Sequence, residues 1–369
     1  MVIKKDGFTS KTIILVIVVL GFIGYFAYQK FFLERSNAVF IYRAFNSSNN
    51  QLTDSYFKSN LDRKDEIDIS SYFKDYPSIS VSPNGKYITK QNNKALEIAL
   101  SKDLSFKQAF LVTNENGEID YPPLWSSDNT SVAILTVDGR DDAGLLGYVP
   151  KTLYLIDVNT LESKKLHIFE KGKDMWLEAF DSDAHKLHIV EVPPSTGVII
   201  PGTERYSSVD TITGNINSEE VDDITNNIER ENKHKYLVSN GKMLYDLDLS
   251  LNTKSIIFDA RDGYISEIKY LPPKNKQFVF TEQKSNKKTT KFTLYSYDID
   301  TQKLSVLVED LNGKIYMQPS LNGRYIWIRP SAVDDKGTYK VFDMITKKLT
   351  TFTSQKDKYK FYDFYWISE

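Results

Sequence analysis

The 369-residue sequence contains no cysteine. That absence excludes disulfide cross-links, cysteine-ligated zinc, iron–sulfur clusters and thiol catalysis together. Histidine and tryptophan are scarce, with four of each. Basic charge is not in excess: 47 lysines and arginines face 49 aspartates and glutamates. This argues against a general nucleic-acid binder, whose surface would have to neutralise phosphates. There is no Gly-x-Ser-x-Gly elbow, no phosphate-binding glycine loop and no His-Glu-x-x-His helix. Apolar content is ample instead: 41% of residues are hydrophobic, and 23 tyrosines and 21 phenylalanines are present. Such a composition supports a large folded core and is far from that of a disordered chain.

The longest apolar run lies at residues 12–33, and Thr12 to Gln29 carry no charge. A helix of that length reaches about 27 Å, close to the hydrocarbon thickness of a bilayer. Tyr25, Phe26, Tyr28, Phe31 and Phe32 at its end suit an interfacial aromatic belt. A cleaved signal would end in two small residues spaced two apart, and neither Gly24/Phe26 nor Tyr25/Ala27 is such a pair. An uncleaved signal anchor in the lipid bilayer is therefore expected. Lys4, Lys5 and Lys11 precede the run and Lys30 and Arg35 follow it. That bias points the N-terminus inward and places the remainder outside the cytoplasm, at the cell membrane.

The segment Lys5-Asp6-Gly7-Phe8-Thr9 also resembles the processing site of type IV pilin-like proteins, a basic leader ending in glycine before phenylalanine and an apolar helix. That family carries a glutamate five residues past the cleavage point; Thr12 stands here, and Lys11 interrupts the start. The resemblance implies, as an alternative, an assembly subunit cleaved after Gly7.

Past the apolar run the chain repeats. Leu153-Tyr154-Leu155-Ile156-Asp157-Val158-Asn159-Thr160 recurs as Leu294-Tyr295-Ser296-Tyr297-Asp298-Ile299-Asp300-Thr301. Weaker copies place Asp210 with Thr213 and Asp343 with Thr346, and Leu244-Tyr245 before Asp248. The alternation makes a strand, Asp-x-x-Thr a turn whose side chains bond backbone amides, and a further strand follows. A second pattern precedes the first: Ser82-Pro83-Asn84-Gly85-Lys86-Tyr87-Ile88 parallels Ser320-Leu321-Asn322-Gly323-Arg324-Tyr325-Ile326. Its Asn-Gly favours a tight turn between strands. Degenerate copies begin at Ser126, Ser182 and Pro272. Together these define a four-stranded antiparallel unit with an exposed apolar face, stable only when neighbours stack on it.

These motifs resemble the TolB-like, WD-repeat-like propeller repeats, in which Ser-Pro-Asp-Gly-Lys joins the two inner strands. The resemblance implies an all-β β-propeller of four-stranded blades; counting inner strands gives seven blades, with six as the alternative, and the apolar run adds one transmembrane helix before them. Innermost strands are expected near Ile79–Val81, Pro123–Ser126, Leu177–Phe180, Ile224–Ile228, Ile268–Leu271, Met317–Ser320 and Phe364–Ser368. The last blade then has one strand of its own, and Val39–Phe45 with further pieces up to Phe73 is available to complete it. The expected organisation is a cytoplasmic tail at 1–11, an anchor at 12–33, a linker with ring-closing strands at 34–75, and a propeller at 76–369.

For function, the residues point to binding. His185 and His188 lie three apart, where strand side chains face opposite ways, so a shared metal ion is not expected. Trp125, Trp176, Trp327 and Trp366 fall on expected inner strands and suit packing better than sugar stacking. No cofactor is expected; calcium at the acidic clusters Asp138–Asp142 and Asp222-Asp223 is the one alternative, without EF-hand spacing. Two long segments carry apolar residues that suit partner binding: Leu145, Leu146 and Tyr148, and Val198, Ile199 and Ile200. The expectation is a non-enzymatic scaffold for an envelope protein or polysaccharide, with no nucleic-acid partner. The alternative is a polysaccharide-active enzyme of propeller fold.

Overall fold

The computed structural model describes residues 38–46, 53–61, 66–76, 78–139, 149–170, 174–180, 185–192, 205–219, 227–230, 235–248, 253–261, 263–272, 276–285, 290–312, 315–330, 339–352 and 359–368. Among them every regular element is a strand except a single 3-10 turn at Ser70–Tyr72. No helix among the described residues is long and apolar enough to cross a membrane. The expected anchor at 12–33 lies outside them, as do Leu145, Leu146, Tyr148, Val198, Ile199, Ile200, Asp141, Asp142, Asp222 and Asp223.

Among the described residues the strands pair into seven antiparallel sheets. Sheet one combines the two ends of the chain: Tyr359–Ile367 pairs with Val39–Asn46, which pairs with Thr53–Asn60 and then Ile67–Asp68. Sheet two is Ser78–Val81, Tyr87–Gln91, Ala95–Leu100 and Lys107–Leu111. Sheet three opens with a first strand broken into Glu118–Ile119 and Leu124–Trp125, both pairing with Ser131–Val137. Pro122 and Pro123 stand in the gap, where neither can donate to a ladder. Lys151–Asp157 and Ser163–Phe169 complete it. Sheet four is Asp174–Phe180, Lys186–Val192, Arg205–Asp210 and Ile216–Glu219. Sheet five is Asn227–Arg230, Lys235–Ser239, Met243–Asp248 and Thr253–Asp259. Sheet six is Tyr264–Tyr270, Gln277–Ser285, Thr290–Asp298 and Lys303–Asn312. Sheet seven is Ile315–Pro319, Tyr325–Pro330, Tyr339–Asp343 and Lys348–Phe352.

The core lies between sheets, because second strands such as those of sheets seven and one are apolar on both faces. Along Tyr325–Pro330, Tyr325 and Trp327 pack against sheet one, while Ile326 and Ile328 pack against sheet six. Along Val39–Asn46, Phe40 and Tyr42 meet sheet seven, and Val39 and Ile41 meet sheet two. The period-two alternation of a strand thus feeds two cores at once. Trp125, Trp327 and Trp366 are buried in these layers, as expected of packing residues, and Trp176 is half-buried.

The two repeated turns lie at the same end of every sheet that carries them. In sheet seven Tyr325 pairs with Asp343, so the Ser320 turn and the Asp343 turn are neighbours, and the Met344 amide donates to the Arg324 carbonyl at 2.8 Å. The turns also touch from sheet to sheet. The Ser368 amide donates to the Gly85 carbonyl at 2.8 Å, and the Asn84 amide donates to Asn129 Oδ1 at 2.8 Å. Lys164 Nζ donates to the Ile212 carbonyl at 2.6 Å. This end is called the turn face. The connections 138–150, 193–204 and 331–338, between second and third strands, leave from the opposite end, the loop face.

The turns are held by the side chains the repeats supply. Asp157, Asp210 and Asp343 each accept from the amides two and three residues on. Ser82 Oγ and Ser320 Oγ each accept from the amide five residues on, at 2.9 Å in both turns. Gly323 has φ +67, and a Cβ there would lie 2.1 Å from the Pro272 carbonyl oxygen of sheet six. Gly323→Ala is therefore expected to cost at least the about 1–3 kcal/mol of a left-handed non-glycine residue, read as a lowered urea midpoint.

Candidate functional site

The site is built where the two ends of the chain meet. A cleft of about 190 Å³ opens between sheets seven and one, lined by Tyr316, Trp327, Arg329, Tyr339, Asp363 and Tyr365 among others. Its floor is aromatic. The Trp327 and Phe364 rings stack with centroids 3.5 Å apart, and Tyr339 stacks on the other side at 5.2 Å. Trp366 Nε1 donates to the Gln318 carbonyl at 3.2 Å and ties the walls together. Trp327 is 2% exposed, and its indole N–H has no acceptor among the described residues.

One wall is ionic. Asp363 lies 3.5 Å from Arg43 and 3.5 Å from Arg329, and Arg43 also donates to Asp54. The register makes this cluster: Asp363 pairs with Arg43 across one ladder, and Arg43 with Tyr56 across the next. Burial works against the Arg43 charge, but the hydrogen bond to Asp54 and the nearby Tyr56 and Asp363 outweigh it, raising the pKa. Burial pushes the Asp363 carboxyl up despite its two arginines. The Tyr365 hydroxyl is driven up by burial and then by Asp363. At the rim, the Arg329 guanidinium lies 4.7 Å from the Tyr316 ring centroid. The cleft thus offers the Tyr316 ring and the Arg329 guanidinium at its rim, with the stacked Trp327, Phe364 and Tyr339 buried beneath them.

Tyr56 adds a pH signature. It is buried, and that burial raises its pKa from 10.0 to about 12. The native state keeps this proton after the unfolded chain has lost it, so stability is full below pH 10.0 and falls as pH rises through about 12. Its hydroxyl has no acceptor among the described residues, so phenylalanine fits at little cost. Tyr56→Phe is expected to make the fall in Tm across that window shallower while leaving Tm at pH 7 nearly unchanged.

A second ionic pair is fully enclosed. Lys151 Nζ lies 2.6 Å from Asp120 Oδ2, with side chains 1% and 5% exposed, and sits 5.1 Å from the Tyr121 ring centroid. No motif marks either residue: Asp120 occupies the break in the first strand of sheet three, and Lys151 opens an otherwise apolar strand.

Among the described residues the histidines do not gather. His185 precedes its strand and is exposed, His188 is buried within it, and His167 packs on Phe169 with centroids 4.7 Å apart. His234 lies outside the described residues. Among the described residues no three histidine, aspartate or glutamate side chains come together as a metal site.

The sequence matches no protein-family profile and no curated protein. Solved structures are similar to it, and two peptidases among them share its fold. Prolyl oligopeptidase B from Galerina marginata is 11% identical, with a TM-score of 0.57 over 87% of this chain and 50% of its own. Acylaminoacyl peptidase from Pyrococcus horikoshii is 15% identical, with a TM-score of 0.56 over 86% of this chain and 50% of its own. TolB from Acinetobacter baumannii is 12% identical, with a TM-score of 0.47 over 91% of this chain and 68% of its own. The chain spans about half the length of the two peptidases, and at such identities the likeness is one of fold. That fold is an all-β propeller of four-stranded antiparallel sheets.

Proposed function

We propose that this chain is a membrane-anchored, extracytoplasmic propeller of seven blades that binds an envelope protein or polymer on the face turned away from its anchor. The observation that supports this is the division of labour between the two ends of the sheets. Val39, the first residue of its strand, pairs with Ile367, whose neighbour Ser368 bonds to the Gly85 turn. The chain from residues 12–33 therefore joins the turn face. The long connections leave from the loop face, free of that attachment. Two of them carry Leu145, Leu146 and Tyr148, and Val198, Ile199 and Ile200, which are the contact residues of this reading. Loops on a rigid scaffold are the usual place for recognition, and propellers need no chemistry of their own to serve it.

The test is a photo-reactive amino acid at Leu145 or Ile199 in the full-length protein, irradiated in its own membrane. A discrete cross-linked protein or glycan at both positions, and none from Asn159 on the turn face, is the expected result. Equal, diffuse cross-linking from all three positions would contradict a dedicated binding face.

A further inference from the structure

The geometry points to the turn face as a lipid-contacting surface, with Ile212 and Ile345 as two apolar tips that seat the propeller flat on the bilayer. The inference rests on the anchored reading above.

Both isoleucines occupy the same position, two residues after the aspartate of an Asp-x-x-Thr turn. Ile212 is 65% exposed and Ile345 63% exposed, the two most exposed large apolar side chains among the described residues. They are held outward by rigid turns: Asp210 Oδ1 accepts from the Ile212 and Thr213 amides at 2.9 and 2.7 Å, and Asp343 Oδ1 from the Ile345 and Thr346 amides at 2.9 and 3.2 Å. The equivalent tips of sheets three and six are Asn159 and Asp300, both polar and exposed. Neither isoleucine belongs to a hydrophobic core cluster among the described residues. Singly exposed isoleucines are ordinary on a protein surface; set at the same turn position on one face, these two offer that face a pair of contacts for an apolar medium.

The attachment of the chain says which medium. From Leu33, where the apolar run ends, to Val39 there are six residue steps, at most about 20 Å of extended chain. The turn face is thus tethered close to the headgroups. Val39 in sheet one, Ile212 in sheet four and Ile345 in sheet seven are three separate points on that face, and three points fix a plane. Lys164, bonded to the Ile212 carbonyl, and the exposed Lys347 and Lys348 beside Ile345 stand where ammonium groups meet lipid phosphates. The carboxylates of Asp210 and Asp343 are engaged by their own turns.

The absence of cysteine makes the test direct. Full-length protein in vesicles of phosphatidylcholine and phosphatidylglycerol would carry one environment-sensitive fluorophore at Asn159→Cys, with both isoleucines native. Companion proteins would carry it at Ile168→Cys, near the loop-face end of sheet three, and at Leu20→Cys. Nitroxide-labelled phospholipid is the quencher. The expected result is loss of emission at positions 159 and 20 but not at 168, and recovery of the 159 signal when Ile212→Asp and Ile345→Asp are combined. If position 20 is quenched while 159 responds like 168, or if the aspartates change nothing, the docking inference is overturned and the anchor stands. If position 20 is not quenched, the anchored reading itself fails and this inference falls with it.

Discussion

A chain ending before Tyr359 is expected to lose cooperative folding altogether. The removed strand is the first of sheet one and, with Val39–Asn46, joins it to sheets seven and two. It carries Phe364 and Trp366 into one interface and Ile367 into the other, all 5% exposed or less. Deleting a buried aromatic side chain costs about 3–5 kcal/mol, so two such losses approach the about 5–15 kcal/mol by which whole domains are stable. Removal would also leave the edge of Val39–Asn46 unpaired and apolar, a template for aggregation. Thermal unfolding of the truncated protein should show no sharp transition. A synthetic peptide covering residues 357–369 should restore one when added in trans. A truncated protein that melts cooperatively at the parent temperature would show that the two ends do not close the ring.

Asp120→Ala is the single substitution with the largest expected effect on stability. It would leave the Lys151 ammonium in a site that is 1% exposed, near the Tyr121 ring and the Met175 carbonyl, which lies 3.5 Å away. Breaking a buried ion pair from one side costs about 3–5 kcal/mol. Replacing both partners with apolar residues of similar volume is close to neutral. Asp120→Leu combined with Lys151→Met is therefore expected to recover most of the stability lost by Asp120→Ala, as measured by urea unfolding. Equal losses from the single and double replacements would mean that packing, and not charge, governs the site.

Much of this architecture is legible in local patterns. The Asp-x-x-Thr turns, the Ser-x-Asn-Gly turns and the alternating strands are fixed by residues within eight positions of one another, and the structure places those among the described residues as the motifs imply; the Ser182 copy and the turns after Pro272 and Asp248 lie outside them. The use of Val39–Asn46 to complete the sheet begun by Tyr359–Ile367 follows from a blade left one strand short. Local pattern has limits even for turns. Asn240-Gly241 makes the same dipeptide as Asn84-Gly85 but joins the second and third strands of sheet five. Asn240 Oδ1 accepts from the Met243 amide at 2.8 Å there, so the dipeptide sets a turn without saying which.

The cleft was not legible. Tyr316 and Arg329 pair across one hairpin of sheet seven, but Arg43 comes from the other end of the chain, and only ring closure brings it and Asp363 beside them. Each reads alone as an ordinary strand residue. The Asp120–Lys151 pair is hidden for a related reason, since burial of a charge depends on a partner strand that no short motif identifies. In the other direction, the apolar segments with Leu145 and Ile199 stand out in sequence and lie outside the described residues.

The measurement that tests the account most directly is the sidedness of the chain in intact cells. Ile199→Cys and Val2→Cys would be introduced separately into this cysteine-free protein and treated with a membrane-impermeant maleimide before and after permeabilisation. An anchored propeller with its loop face outward predicts labelling of position 199 on intact cells, labelling of position 2 only after permeabilisation, and retention of both proteins in alkali-washed membranes. Labelling of position 199 only in broken cells, or release of the protein from washed membranes, would contradict it.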